Sequence, residues 1–222
     1  MMNILRPAAL LLTLAACSSG PPVPDWQMNA QGSIERTTAA YMAGNAAVEQ
    51  AEYKRARDAL ASTGKVDLMI RAELIRCAAR VASLVFEDCA GYDKLAQDAG
   101  PADRAYAAYL AGRATAADAA LLPEQHRAVA SAAAGAAGEA AAGAVHAIVD
   151  PLSKLVASGV LLRAGKATPQ VLADAVDTAS AQGWRRPLLA WLGVQAMRAE
   201  QAGDTAEAQR IKRRIALVTE KS

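Results

Sequence analysis

The chain has 222 residues, a formal net charge of +2 at neutral pH and 53% hydrophobic residues, few of which are aromatic. A net charge this small does not predict binding to nucleic acid, and the length suffices for one domain with a hydrophobic core. Because alanine, the strongest helix former, supplies much of the apolar surface and no segment alternates with a period of two, the sequence predicts an all-α protein.

The first 16 residues have the pattern of an export signal. Arg6 is the only charged side chain among them, and residues 8–16 form an apolar run that only Thr13 interrupts. This run is too short to span a bilayer, which requires about 20 apolar residues. A basic start, a short apolar run and small residues at its end are typical of a signal peptide that is cleaved. We therefore predict that residues 1–16 are removed.

The end of that run, Leu14-Ala15-Ala16-Cys17, resembles the lipobox of bacterial lipoproteins, in which an aliphatic residue and two small residues precede a cysteine. The resemblance implies that Cys17 receives a diacylglyceryl group and anchors the chain to a membrane of the cell envelope. Ser18, rather than an aspartate, follows the cysteine, which by the same resemblance implies sorting to the outer membrane with the domain facing the periplasm. The alternative is an ordinary secreted protein in which Cys17 occupies this position by chance.

The residues after Cys17 predict a tether. Residues 18–24 contain three prolines and no apolar periodicity, which is typical of a semi-extended spacer of about 3 Å per residue. Ser33 is expected to be the N-cap of the first helix, because its side-chain oxygen can accept a hydrogen bond from a backbone N–H. We therefore divide the chain into a signal peptide (1–16), a lipid anchor with a flexible spacer (17–32) and a single α-helical domain (33–222).

Helix start and stop signals divide residues 33–222 into pairs of helices. Asp150-Pro151 and Thr168-Pro169 each place an N-cap before a proline in the first helical position, and Asp204 begins a capping box. The clearest apolar stripe, at steps of three and four, lies in residues 66–85. The glycines predicted to end helices are Gly44, Gly64, Gly112, Gly165, Gly183 and Gly203.

Residues 130–145 consist almost entirely of alanine, glycine and serine. Small side chains let two helices approach closely, which favours a packed helix here. Each interior glycine costs about 1 kcal/mol relative to alanine, so we expect this helix to break near Gly135 and Gly138. A loosely held segment is the alternative.

A short repeat raises the question of how the helix pairs are arranged. Residues 40–44 recur in similar form as residues 108–112, an offset of about twice the 34-residue tetratricopeptide period. The turn at Gly44 and the residues after it also resemble part of a tetratricopeptide unit, although the tryptophan, the leucine-glycine pair and the closing proline are not in register. We expect stacked antiparallel helix hairpins, either tetratricopeptide-like or an irregular helical bundle.

Cys77 and Cys89 are the only other cysteines, and export would place them in an oxidising compartment where such a pair usually bonds. On one continuous helix their Cα atoms would lie about 18 Å apart, whereas a disulfide requires less than about 7 Å. The bond therefore requires the helix to end near residues 85–87 and the chain to turn back. Two buried thiols are the alternative.

The best candidate for a binding surface lies in the C-terminal segment. Residues 184–222 contain eight basic and four acidic residues, a net charge of +4. Tryptophan and arginine are enriched in binding hot spots. Alternatively, the tryptophan belongs to the core and the arginines are solvated or hold the last hairpins together. The residues predicted to bind a partner are Trp184, Arg185, Arg186, Arg210, Arg213 and Arg214.

Two functions fit these patterns. The first is a lipid-anchored, non-catalytic helical adaptor that binds another envelope protein, and the second is a lipoprotein that binds a lipid or a small apolar ligand in an alanine-lined interior. An envelope hydrolase ranks last, because the familiar nucleophile, zinc and phosphate-loop motifs do not occur in the sequence. We predict no cofactor or metal ion, and we expect His126 and His146 to be surface or helix-capping residues.

The lipid anchor leads to a direct test. We expect Cys17→Ser to abolish lipidation, because the thiol is the group that would accept the lipid. The measurement is incorporation of labelled palmitate in a bacterial host, with the unaltered chain and Cys89→Ser as controls. Incorporation into Cys17→Ser at the level of the controls would contradict the lipoprotein interpretation.

Overall fold

A computed structural model describes residues 23–135 and 138–220, and the predicted signal peptide and Cys17 lie outside these residues. The predicted all-α fold is confirmed, and none of the described helices has the length and apolarity needed to span a bilayer. The helices in the described ranges are α1 Asp25–Ala43, α2 Ala46–Ala61, α3 Val66–Ala82, α4 Ala90–Asp93, α5 Pro101–Leu110, α6 Glu124–Ala134, α7 Gly138–His146, α8 Pro151–Arg163, α9 Pro169–Ala181, α10 Arg185–Gln201 and α11 Thr205–Thr219.

Most of the local signals for helix ends are confirmed. All six glycines predicted to end helices follow a helix in the left-handed region, with φ between 64° and 86°, where a residue without Cβ has no steric penalty. The side chains of Asp150, Thr168 and Asp204 each accept a hydrogen bond from the backbone N–H three residues later. The predicted break in the alanine-rich tract is also present, since α6 ends at Ala134 and α7 begins at Gly138.

The predicted start of the first helix is wrong by nine residues, because the N-cap is Pro24 instead of Ser33. The helix begins at Asp25 after Pro24, and Ser33 lies buried inside it rather than at its N-cap. Tertiary contacts account for the difference, because Ala30 is buried together with residues of α2 and α3 and Trp26 packs against this cluster. Residues 25–32, predicted to be part of the spacer, therefore belong to the folded domain.

Helix α3 lies at the centre of the fold and packs against α1, α2, α5 and α8. The main hydrophobic core forms around its buried residues, including Ile70 and Leu74. Helix α8 approaches α3 at Gly159, where a Cβ atom would overlap the Val81 carbonyl oxygen. One residue further on, the Trp191 Nε1 of α10 donates a hydrogen bond of 3.0 Å to the Ala82 carbonyl oxygen. Helices from both halves of the chain thus meet at the C-terminal end of α3.

Buried carboxylates connect the first three helices. Helix α2 carries Glu49 and Glu52, both less than a tenth exposed, and α3 carries the equally buried Glu73. Each accepts from an arginine of another helix: Arg36 to Glu52 at 2.9 Å, Arg57 to Glu73 at 2.8 Å and Arg76 to Glu49 at 3.4 Å. The hydrogen bond from Arg36 lowers the pKa of Glu52. The arginine partners compensate for removing these charges from water, and they hold α1, α2 and α3 in register.

The contact between α3 and α8 can be tested with two glycine substitutions. We expect Gly159→Ala to lower the free energy of unfolding by about 1–3 kcal/mol, the usual cost of overpacking a core. The matched control is Gly193→Ala inside α10, where an added Cβ meets nothing within 4 Å. That substitution should raise the free energy of unfolding by about 0.5–1 kcal/mol, because alanine has the better helix propensity. The measurement is urea denaturation, and equal effects of the two substitutions would show that the close approach at Gly159 is unimportant.

Candidate functional site

The residues predicted to bind a partner lie on the last two helices, but the structure does not bring them all together. Trp184 precedes α10 and packs, half-buried, against the main core. Arg185, in the first turn of α10, lies near the end of α11, where its Nη2 is 3.5 Å from the Thr219 carbonyl oxygen. Arg210 is nine residues before Thr219, about 14 Å away along α11. The predicted set is therefore spread along the hairpin of α10 and α11.

Arg186 points into the fold. Its Nε donates a hydrogen bond of 2.8 Å to the Tyr41 carbonyl oxygen at the end of α1. Its guanidinium carbon also lies 4.4 Å from the centroid of the Tyr41 ring, a cation–π contact. Burial raises the pKa of the Tyr41 hydroxyl, although Arg186 opposes that shift. Arg186 thus joins α10 to the first helix rather than holding the last hairpins together.

The remaining arginines lie on α11, which packs mainly against α10. Arg210 binds both carboxylate oxygens of Glu207 at 2.6 Å and thereby lowers the pKa of Glu207. Arg213 is exposed, and in the part of the chain that the structure describes neither it nor Arg214 forms an ion pair. Leu217, one turn after Arg213, is 66% exposed. We refer to Arg210, Arg213 and Leu217 as the outer face of α11.

A second surface, which the sequence did not predict, is an apolar groove of about 540 Å³ between α1 and α3. Helix α1 contributes residues at steps of four and α3 contributes residues at steps of four and three, so one stripe of each helix faces the groove. The spacing of these residues is visible in the sequence, but the predicted domain boundary places the first half of α1 in the spacer. The apolar lining residues of this α1–α3 groove are Trp26, Ala30, Ile34, Leu60, Leu68, Ala72 and Ile75.

Charged residues lie around the α1–α3 groove. Glu35 comes from α1, while Lys65 and Arg71 come from the α3 side. The Lys65 Nζ is 5.8 Å from the centroid of the Trp26 ring. Ile75 is 36% exposed at the edge of the groove. The groove is therefore open to solvent, with an apolar floor and a rim of mixed charge.

The predicted pairing of Cys77 and Cys89 agrees with the structure, which places the two residues at disulfide distance with a Cα–Cα separation of 5.9 Å. Helix α3 ends at Ala82, a few residues before the predicted end, and the chain turns at Leu84 with a φ of 61°. Because the chain turns back after α3, the Cα atoms of Cys77 and Cys89 lie much closer together than they would on one continuous helix, as a disulfide requires.

Arginines also surround a cavity of about 270 Å³ beside the two cysteines. Arg104 donates to the Ala99 carbonyl oxygen, and Arg163 donates to the Leu110 carbonyl oxygen at 3.3 Å. Because these donors satisfy carbonyl groups near helix ends, we assign them to the stability of the fold rather than to a ligand site.

The two histidines occupy different environments. His126 is 1% exposed, so its expected surface or capping position is wrong. Its Nδ1 lies 3.3 Å from the Tyr109 hydroxyl oxygen, and burial lowers its pKa to about 4, so the ring is neutral at pH 7. His146 lies at the surface with its Nδ1 3.1 Å from Asp174. Among residues 23–135 and 138–220, no three potential metal ligands cluster together.

No protein-family model, curated protein or solved structure matches this chain. The two surfaces described above, the outer face of α11 and the α1–α3 groove, are therefore the basis for assigning a function.

Because Arg186 and Arg213 have different environments, we expect their substitution to have different effects on the free energy of unfolding. We expect Arg186→Ala to lower the free energy of unfolding by about 1–3 kcal/mol, because it removes a charge-assisted hydrogen bond and a cation–π contact between two helices. Arg213→Ala, the matched control, should change it by less than about 0.5 kcal/mol, as surface substitutions usually do. Chemical denaturation of both variants checks this, and an unaltered stability of Arg186→Ala would contradict the structural role.

Proposed function

We propose that this chain is a lipid-anchored, non-catalytic helical adaptor of the bacterial cell envelope that binds another envelope protein. The signal peptide and the lipobox at Cys17 support attachment to a membrane, and Ser18 supports the outer membrane with the domain facing the periplasm. The observation that carries the binding role is the outer face of α11.

The outer face of α11 has the chemistry of a docking surface. Arg210, Arg213 and Leu217 are three, four and seven residues apart, a spacing that places them on one side of a helix. The other side of α11 carries Ala208 and Ile211, which are 2% exposed. Leu217, an apolar side chain that is 66% exposed one turn from Arg213, suits a partner that presents a carboxylate beside a shallow apolar depression.

The charge of Arg213 also determines how binding should respond to salt. Exposed charges are screened over about 8 Å at physiological ionic strength. Association through Arg213 should therefore weaken as salt concentration rises, whereas the contribution of Leu217 should persist because apolar burial does not depend on a charge.

This proposal can be tested by recovering partners from envelope extracts after cross-linking. We expect the double variant Arg213→Glu with Leu217→Asp to reduce partner recovery by at least about tenfold, because loss of a binding hot spot costs 2 kcal/mol or more. The melting temperature should remain close to that of the unaltered chain, since both side chains are exposed.

The matched control introduces the same chemical changes on other segments, as Lys94→Glu with Val149→Asp, both exposed positions. The control should recover the partner normally. Equal recovery by the two double variants, or no stoichiometric partner with the unaltered chain, would contradict the adaptor role.

A second candidate function is the binding of a lipid or small apolar ligand. The α1–α3 groove favours it, because its volume of about 540 Å³ lies within the range of about 300–1,000 Å³ for small-molecule sites and its lining is mostly apolar. The alanine-rich helices α6 and α7 do not contribute to this groove.

A further inference from the structure

We propose that the α1–α3 groove holds an acyl chain of the lipid that this protein carries on its own Cys17. The inference rests on the proposed lipid anchor but not on the adaptor role. The proposed ligand is an unbranched hydrocarbon chain with an ester head group. Its source is the N-terminus of the same molecule.

The lining of the groove suits a hydrocarbon chain. Ala30, Leu60 and Ala72 are each at most 5% exposed and form its floor. The two alanines leave depth between the helices because their side chains are short. Trp26, Ile34 and Leu68 are half-buried and pack against this floor. A ligand in the groove would thus remove apolar surface from water, which favours binding.

The charges at the rim suit the head group of such a lipid. Lys65 lies at the start of α3 beside Trp26, with its Nζ 5.8 Å from the ring centroid. An ammonium group provides three hydrogen-bond donors, and the glyceryl esters next to Cys17 provide carbonyl acceptors. An acyl chain in the groove can therefore leave its ester group near Lys65 rather than in the apolar floor.

The length of the chain before α1 allows Cys17 to reach either end of the groove. Trp26, the second residue of α1, lines the groove. The groove extends along α1 from Trp26 to Glu35, about 14 Å at 1.5 Å per residue. The seven residues that follow Cys17, residues 18–24, can span about 22 Å in an extended, proline-rich conformation. The reach of the tether thus exceeds the length of the groove.

The same tether explains why the protein's own lipid should be the occupant. A ligand joined to its site by a short flexible linker has an effective concentration in the millimolar range. A free phospholipid or an apolar helix of another protein would have to compete with it. The groove and the bilayer would then compete for one acyl chain, and membrane attachment by the chains that remain would be weaker and more readily reversed.

A photo-cross-linking experiment on the full chain can identify the occupant. A benzophenone amino acid replaces Ile75, which lines the groove and is 36% exposed, so the replacement should leave the fold intact. The matched control carries the same probe at Met28, which is 54% exposed and does not line the groove although it is only two residues from Trp26. Both variants are expressed in a bacterial host, irradiated in the isolated membranes and digested.

We expect the Ile75 probe to cross-link the lipid-modified N-terminal peptide within a single chain, and the Met28 probe to give little of this product. Mass spectrometry of the N-terminal peptide also reports whether Cys17 is acylated. An unmodified Cys17 would overturn both the proposed anchor and this inference. With Cys17 acylated, the inference would be overturned by a product with free phospholipid, with another protein or with a second copy, or by equal yields at Ile75 and Met28.

Discussion

The close approach of α8 to the C-terminal end of α3 is the contact on which the remaining structure depends. It is possible because Gly159 has no side chain at the point where it meets the Val81 carbonyl group. The next carbonyl, of Ala82, accepts from the buried Trp191 of α10. Helix α3 also contacts α1, α2 and α5, so this one end of a helix brings the first and last parts of the domain together.

Polar interactions, in addition to the hydrophobic core, hold the helices in position. The buried carboxylates Glu49, Glu52 and Glu73 join the first three helices through arginines, and Arg186 joins α10 to the end of α1. These contacts are between parts of the chain up to 145 residues apart. Because a buried charge that loses its partner is costly, the arrangement fixes the relative positions of α1 and α3 and therefore the shape of the groove between them.

The two candidate surfaces lie on different parts of the chain. The α1–α3 groove begins at Trp26, nine residues after the predicted lipid anchor, whereas the outer face of α11 is formed by the last described helix. The position of the groove near the predicted tether fits the proposed membrane attachment, and the position of the outer face of α11 on the last described helix fits the proposed binding of a partner. A helical array of this kind can separate the two roles because α11 packs mainly against α10 alone.

What the sequence determined by itself is the class of the fold and most helix ends. A left-handed glycine such as Gly112, or an N-cap such as Asp150, acts within one helical turn, so its effect can be predicted without knowing the rest of the fold. Cys17 and its predicted modification depend likewise on a local pattern. The pairing of Cys77 with Cys89 could also be predicted from the sequence, because the two residues are close in the chain and only one turn lies between them.

Only the tertiary structure decided which side chains are buried against residues that are far away in the sequence. The start of α1 at Asp25 depends on contacts of Trp26 with α2 and α3, and the inward direction of Arg186 depends on the position of Tyr41. His126 is buried because α5 places Tyr109 beside it. Local propensities carry no information on such contacts, since their free energy comes from surfaces that meet only when the whole chain has folded.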